Sequence, residues 1–240
     1  MALQRQSPTE IRSQLRELID QAKSIKPSLA ARLSNLLRWI KDKTDKQINQ
    51  KSSVVDFLAE IILDANLWLI LQTLTPEQKQ QFYIDMQISA AEKYWFDVLF
   101  PLWFDEPDPK LDIWKKELMA NNFSGDNMQI IRAVSIEIKK LGGSCLWKYP
   151  LDLSMATDLL AMGLTDVALF VQITTLAVQH LPRKQSAWEY TLQHWNIQRG
   201  LLISYNPMPT NNFDESILVT NSFLSENQII RQTPIIGDNV

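Results

Sequence analysis

Apolar residues recur every three or four positions along most of the chain, the pattern of amphipathic helices. The clearest case opens with Ser7-Pro8-Thr9-Glu10, a capping box with proline at the first helical position, and Pro27 is expected to end that helix. One face of it carries Ile11, Leu15, Leu18, Ile19, Ala22 and Ile25. Ser28 then caps a second predicted helix, and a third runs from Ser53 to about Leu74.

The same pattern predicts helices over most of the rest of the chain. Thr75-Pro76-Glu77-Gln78 is a second capping box, and its helix should reach about Phe100, where Pro101 is expected to stop it. Further helices are predicted from residue 109 to 120, around 131–141, and from about 152 to Gly163. An uncharged helix over 167–182, predicted to be the most buried, and a last one over 186–199 complete the set.

After Gly200 the pattern changes to short apolar runs separated by Asn and Pro. Residues 201–205 and 217–220 read as extended segments, which either pair as a small β-hairpin or form an arm that lies on a partner. The predicted fold is therefore all-α, with about nine helices in antiparallel hairpins, arranged as an irregular bundle or short solenoid. We expect a basic helix pair at 1–53, a helical core at 54–200 and an extended segment at 201–240.

Charge is unevenly distributed. Residues 1–53 hold eleven lysines and arginines against five acids, a local net charge of +6 in a chain whose total is −3. Such a segment is typical of contact with an anionic partner, either nucleic acid or lipid, although it also suits docking on the chain's own acidic body. The side chains predicted to make this contact are Arg12, Arg16, Lys23, Arg32, Arg38 and Lys41.

The most unusual local feature is Tyr94–Phe104, where six of eleven residues are aromatic. They do not fit on one helical face, so we expect part of the cluster to pack in a core at a helix corner and part to anchor a protein partner. Isoleucine pairs in the C-terminal segment suggest further anchors. The predicted protein-interaction residues are Trp95, Phe100, Trp103, Phe104, Phe223, Ile229, Ile230 and Ile235.

Residue types that carry chemistry are few. Six glycines supply no phosphate-binding loop, and neither histidine, His180 or His194, follows a glutamate at metal-ligand spacing. Asp56, Glu60 and Asp64 recur every four residues and are expected to share one helical face, solvated or salt-bridged, with magnesium as the metal they would suit. Cys145 lacks a nucleophile signature and reads as structural. We predict no catalytic residue, cofactor or metal, and no enzyme.

Targeting signals are equally sparse. The first thirty residues contain no uninterrupted apolar run, and three carboxylates interrupt the most apolar window, Val54 to Leu74, so neither a signal peptide nor a transmembrane segment is expected. One cysteine excludes an internal disulfide and suits a cytoplasmic location. The sequence favours a non-enzymatic helical adaptor or assembly subunit that binds a protein or a second copy. The alternatives are a nucleic-acid-associated subunit and a peripheral membrane protein, both acting through the basic N-terminal helices.

Overall fold

The computed structural model describes residues 6–120, 128–163, 167–174, 176, 178–204 and 231–234. The chain divides into two compact units. Unit 1 comprises Met1–Ile88 and Trp95–Ser124, and unit 2 comprises Ser89–Tyr94 and Gly125–Val240. Most described residues are helical, as predicted, but five strands among them form a sheet, which is more than the predicted hairpin.

Unit 1 is built from helices. They are α1 (Pro8–Ile25), α2 (Pro27–Lys41), α3 (Asp45–Asn49), α4 (Ser52–Gln72), α5 (Pro76–Asp85), a π-helical turn (Trp95–Leu99), α7 (Phe100–Asp105) and α8 (Leu111–Ala120). Both predicted capping boxes are confirmed, at Ser7 before α1 and at Thr75 before α5. Helix α3 was not predicted, because its five residues are too few to show a period.

The α1 stripe is buried against α2 and α4, except for Ile25 at the helix end. Only Lys26 separates α1 from α2, because Pro27 occupies the first position of α2, where its missing N–H costs no hydrogen bond. The second helix therefore begins at Pro27, and the predicted cap at Ser28 is wrong. The short connection holds the two helices side by side and leaves α4 packed on the inner face of α1.

The predicted helix from Thr75 to Phe100 is wrong in its length. Helix α5 ends at Asp85, and Gln87 has a φ of +52°, which interrupts the helical path. Pro101 does not stop a helix, because it lies in the first turn of α7, just after the π-helical turn, where a proline needs no intrahelical donor. The chain therefore changes pitch inside the aromatic segment.

Unit 2 mixes helices and strands. Its elements are α6 (Ala90–Tyr94), α9 (Met128–Lys140), β1 (Ser144–Leu146), α10 (Tyr149–Leu153), β2 (Leu159–Met162), β3 (Ala168–Thr174), a 3₁₀ turn (Val178–His180), α11 (Leu181–His194), β4 (Gly200–Ser204) and β5 (Arg231–Pro234). Strand order follows chain order. Strand β2 is antiparallel to both β1 and β3, and β4 is parallel to both β3 and β5.

Two predicted helices are therefore wrong: residues 159–162 and 168–174 are strands. A short apolar run has no polar side to reveal its period, so a buried strand and a buried helix look alike in sequence. Val171, Ile173 and Thr174 are β-branched, and that preference for strands decides the conformation once the run can pair on both sides. The extended segment predicted at 201–205 is a strand over its described part.

Alternate positions of β3 face opposite layers. Leu169, Val171 and Ile173 lie in an apolar cluster with Ile131, Val134 and Ile138 of α9, so α9 covers this face of the sheet. On the other face, Phe170 contacts the ring of Tyr94 edge-on at 6.4 Å between ring centroids. Both faces of β3 are thus buried, which explains its almost unbroken apolar sequence.

Candidate functional site

The four predicted anchors of the aromatic segment lie in the core of unit 1. Trp95, Phe100, Trp103 and Phe104 are all buried. The ring centroid of Phe100 lies 5.5 Å from that of Trp95, 5.9 Å from Trp103 and 5.3 Å from Phe104. Because these side chains are buried, the expectation that they contact a partner is corrected in favour of the core packing that the sequence also allowed.

The change of pitch at the π-helical turn explains how so many rings are accommodated. Six aromatic side chains do not fit on one face of a regular helix. The π-helical turn followed by α7 brings the five rings of this segment that belong to unit 1 into buried positions, whereas Tyr94 belongs to unit 2 and contacts Phe170. The indole N–H of Trp95 donates to Asp64 Oδ2 at 2.9 Å, which satisfies the polar atom of the buried ring.

The three carboxylates of α4 do not share one environment. Asp56 is exposed, Glu60 is half-buried and Asp64 is buried. A four-residue step turns about 40° around a helix, so two steps carry the side chain from solvent to core. The prediction of a shared solvated or salt-bridged carboxylate face is therefore wrong for Asp64, which accepts a hydrogen bond from Trp95 in the core.

Two of the six cations predicted to contact an anionic partner are instead occupied within unit 1. Arg32 is buried, donates to the carbonyl oxygens of Trp103 at 2.7 Å and Glu106 at 2.6 Å, and lies 5.1 Å from the centroid of the Trp103 ring. Desolvation lowers the pKa of Arg32. Arg12 donates to Asp45, and this hydrogen bond lowers the pKa of that carboxyl.

The other four predicted cations are exposed. Arg16, Arg38 and Lys41 face solvent, and so does Lys23, which forms an ion pair with Asp20 at 2.7 Å. Arg12 and Arg32 sit on the core side of the same two helices. Four of the six predicted cations therefore remain available for contact with an anionic partner. The remaining predicted anchors, Phe223, Ile229, Ile230 and Ile235, lie outside the described residues.

An apolar surface that the sequence analysis did not single out lies on α4. Leu63 is 51% exposed and Ile70 is 43% exposed, with Leu67 half-buried between them. Spacings of four and three residues put these side chains on one face. We call Leu63, Leu67 and Ile70 the α4 stripe. The sequence carried a signal for it, because α4 has no charged residue after Asp64; the exposed polar residue on this face is Asn66.

A buried polar cluster in unit 2 was also missed. Asp158 and Gln172 lie opposite each other at the end of the β2–β3 pair. Asp158 Oδ2 accepts hydrogen bonds from the backbone N–H of Ile173 at 2.5 Å and from the Gln172 side chain. The amide of Gln172 also donates to the carbonyl oxygen of Ile173 at 3.1 Å. These hydrogen bonds connect the start of β2 to β3. In the sequence, the polar residues Asp158 and Gln172 within apolar runs were the feature that indicated this cluster.

The nucleophile and metal-ligand candidates are not assembled into a site. Desolvation raises the pKa of Cys145 to about 11, against weaker opposite effects of a hydrogen bond from Ser135 and the charge of Lys139, so its thiol stays protonated near neutral pH. His180 is exposed, and His194 contacts Trp195 edge-on at 5.0 Å. Within the described ranges, no three His, Cys, Asp or Glu side chains are grouped as metal ligands would be.

In the part of the chain that the structure describes, no helix combines the length and apolar character needed to span a membrane. No protein family, curated protein or solved structure matches the chain. No activity or partner is therefore transferred from a relative, and function is inferred from the side chains described above.

Proposed function

We propose that the chain is a non-enzymatic protein-interaction subunit, a helical adaptor or assembly component that binds a protein partner. The observation that carries the proposal is the α4 stripe. It replaces the aromatic segment as the proposed contact surface, since the four predicted anchors of that segment are buried.

Helix α4 is largely apolar after Asp64, where its exposed polar residues are Asn66, on the same face as the α4 stripe, and Gln72. A helix of this kind is normally enclosed by protein all round, whereas a surface helix presents polar residues to water. One side of α4 packs on α1, α3 and α8, and the α4 stripe remains open. Fully burying a leucine or isoleucine is worth about 1.5–3 kcal/mol, so covering the exposed half of Leu63 or Ile70 would contribute about 1 kcal/mol each.

The core of unit 1 fixes the orientation of this surface. The hydrogen bond from Trp95 to Asp64 restrains rotation of α4 about its axis, and Asp64 lies one residue after Leu63. Trp68, between Leu67 and Ile70, packs edge-on against Phe104 at 5.1 Å between ring centroids. Side chains on a restrained helix bind with a smaller loss of conformational entropy than those on a loose segment.

Two alternatives stay predictions: a nucleic-acid-associated subunit and a peripheral membrane protein, both using the basic N-terminal helices. Arg16, Lys23, Arg38 and Lys41 remain exposed for such contacts. The occupied positions of Arg12 and Arg32 make this surface less positive than the sequence suggested. The cytoplasmic location likewise stays a prediction.

The proposal is tested by purifying the tagged full-length chain from its native cells at low salt. Bound proteins are quantified by mass spectrometry and nucleic acid by absorbance. Ile70→Lys is compared with the matched control Ile136→Lys, which places the same charge at an exposed isoleucine of α9 that is 55% accessible. Thermal melting of both variants confirms that each is folded.

We expect a stoichiometric protein partner that Ile136→Lys retains and Ile70→Lys loses at least tenfold, which corresponds to about 1.4 kcal/mol. Equal retention by both variants would exclude the α4 stripe as the contact. Recovery of nucleic acid alone, removed by salt, would favour the alternative based on the N-terminal helices.

A further inference from the structure

An open cleft of about 490 Å³ lies in unit 1, outside the surfaces described so far. One side is formed by Trp39 in the last turn of α2 and Lys43 just beyond it, and the other by α8. The α8 side chains that line the cleft are Asp112, Lys115, Lys116 and Met119. The residues lining the cleft thus include one tryptophan, three lysines and one aspartate.

The three lysines of the cleft have no ion-pair partner in the described part of the chain. Every ion pair found there involves other lysines or arginines, although Asp112 lines the same cleft. These three lysines line one concave site. An excess of positive charge in a concave site concentrates the field and attracts anions.

Lys115 lies in a partly desolvated environment. Desolvation is the largest cause that lowers its pKa, and the nearby guanidinium groups of Arg32 and Arg38 act in the same direction. The carboxylates of Asp112 and Asp108 oppose this shift. A bound anion would compensate the half-buried charge of Lys115, so the free cleft favours anion binding.

Trp39 is held in place beside these cations. Its ring contacts Phe57 at 6.3 Å and Trp114 at 5.9 Å between centroids, with interplanar angles of 70° and 89°. The ring is nevertheless only partly buried and lines the cleft. A fixed aromatic ring beside lysines matches the two elements of nucleotides, because bases stack on aromatic side chains and phosphates pair with cations.

We propose that this cleft binds a nucleotide phosphate, with the phosphate against Lys43, Lys115 and Lys116 and the base against Trp39. The ligand is a free nucleotide or one residue of a single strand, since both present the same chemistry. The residues involved differ from the α4 stripe, so this inference does not depend on the proposed protein interaction.

Two probes distinguish the sources of this ligand. One is a fluorescein-labelled single strand of about twelve deoxyadenylates, followed by fluorescence anisotropy, and the other is ATP, followed by calorimetry. Lys115→Gln/Lys116→Gln removes two charges from the cleft. Lys139→Gln/Lys140→Gln removes two from exposed positions of α9 and so matches the change in net charge.

For the strand, neutralisation of one phosphate predicts that log K falls against log salt with a slope of about −0.7, and the slope should be shallower in the cleft variant. We expect that variant to bind at least tenfold more weakly and the α9 variant to bind within about twofold of wild type. Trp39→Leu, if melting shows it folded, should also weaken binding by about tenfold. Binding of ATP alone identifies a free nucleotide, and binding of the strand alone identifies a single strand.

Three results would overturn the inference. One is the absence of binding by either probe at about 50 mM salt, where charge-driven binding is strong. Another is an equal loss in the two lysine variants, which would show attraction by net charge alone. The third is a folded Trp39→Leu variant that binds as wild type does, because the base would then not lie on this ring.

Discussion

Arg32 was predicted to contact an anionic partner, but in the structure it packs in the core of unit 1. Replacing it by methionine distinguishes these two roles. If the guanidinium holds the core together, Arg32→Met removes its hydrogen bonds to the carbonyl oxygens of Trp103 and Glu106 and its contact with the Trp103 ring. If the guanidinium served an anionic partner, its loss would affect binding and leave folding unchanged. Methionine fills the space of the aliphatic stem in either case.

The magnitude follows from the contacts. A hydrogen bond to a charged donor contributes about 1.5–3 kcal/mol, so the two bonds together contribute about 3–6 kcal/mol. The variant recovers part of this, because the charge no longer has to be desolvated, a cost that the lowered pKa of Arg32 reflects. We therefore expect Arg32→Met to lower the free energy of unfolding by about 2–4 kcal/mol.

Urea unfolding followed by tryptophan fluorescence measures this difference. Lys23→Met is the matched control, since it removes one charge from the same pair of helices where both members of the ion pair are largely exposed. Such pairs contribute little, so the control should unfold close to wild type. An Arg32→Met variant as stable as Lys23→Met would refute the core role and return Arg32 to the anion-binding surface.

Three further outcomes check other parts of the structure. Gly200→Ala should lower the free energy of unfolding in urea by about 1–3 kcal/mol, because a Cβ there would lie 2.6 Å from the Trp188 ring; an unchanged midpoint would contradict the close approach of β4 to α11. At pH 8 the Cys145 thiol should react with iodoacetamide about a hundredfold more slowly than free cysteine, because burial raises its pKa to about 11. The reaction rate should rise as the pH approaches 11. A rate at pH 8 like that of free cysteine would show an accessible thiolate. Asp64→Ala should destabilise by about 1–3 kcal/mol in thermal melts, because the buried Trp95 N–H loses its acceptor, whereas Asp64→Asn, which keeps an acceptor oxygen, should lose less.

Local rules predicted the features that local chemistry controls. The capping boxes at Ser7 and Thr75 begin helices where expected, because cap and proline act within four residues of chain. The amphipathic pattern of α1 gave its buried face correctly for the same reason. Where a segment has a polar side, its period reveals which way it faces.

The features that failed depend on neighbours distant in sequence. Strand β3 was predicted as a helix because both of its faces are covered, by α9 on one side and around Phe170 on the other, so no polar period remains. Pro101 was expected to end a helix, but the π-helical turn before it depends on how the surrounding rings pack. Composition marked the aromatic segment as unusual without showing whether it faces the core or solvent.

The surfaces proposed for binding also depend partly on local sequence and partly on residues that are distant in sequence. The lack of charge after Asp64 was readable in sequence, but which face of α4 stays uncovered depends on α1, α3 and α8. The cleft joins Trp39 and Lys43 to Lys115 and Lys116 across some seventy residues of chain. One unaligned sequence carries no signal for that proximity.

The most direct test of the proposed interaction is site-specific photo-crosslinking in the native cells. A photoreactive residue replaces Ile70 of the α4 stripe in one variant and Ile136 of α9, which is also exposed, in another. We expect one dominant protein adduct from position 70, absent from position 136 and abolished when Leu63→Lys is added to the same chain. No adduct at position 70, or the same adducts from both positions, would contradict the assignment of α4 as the contact surface.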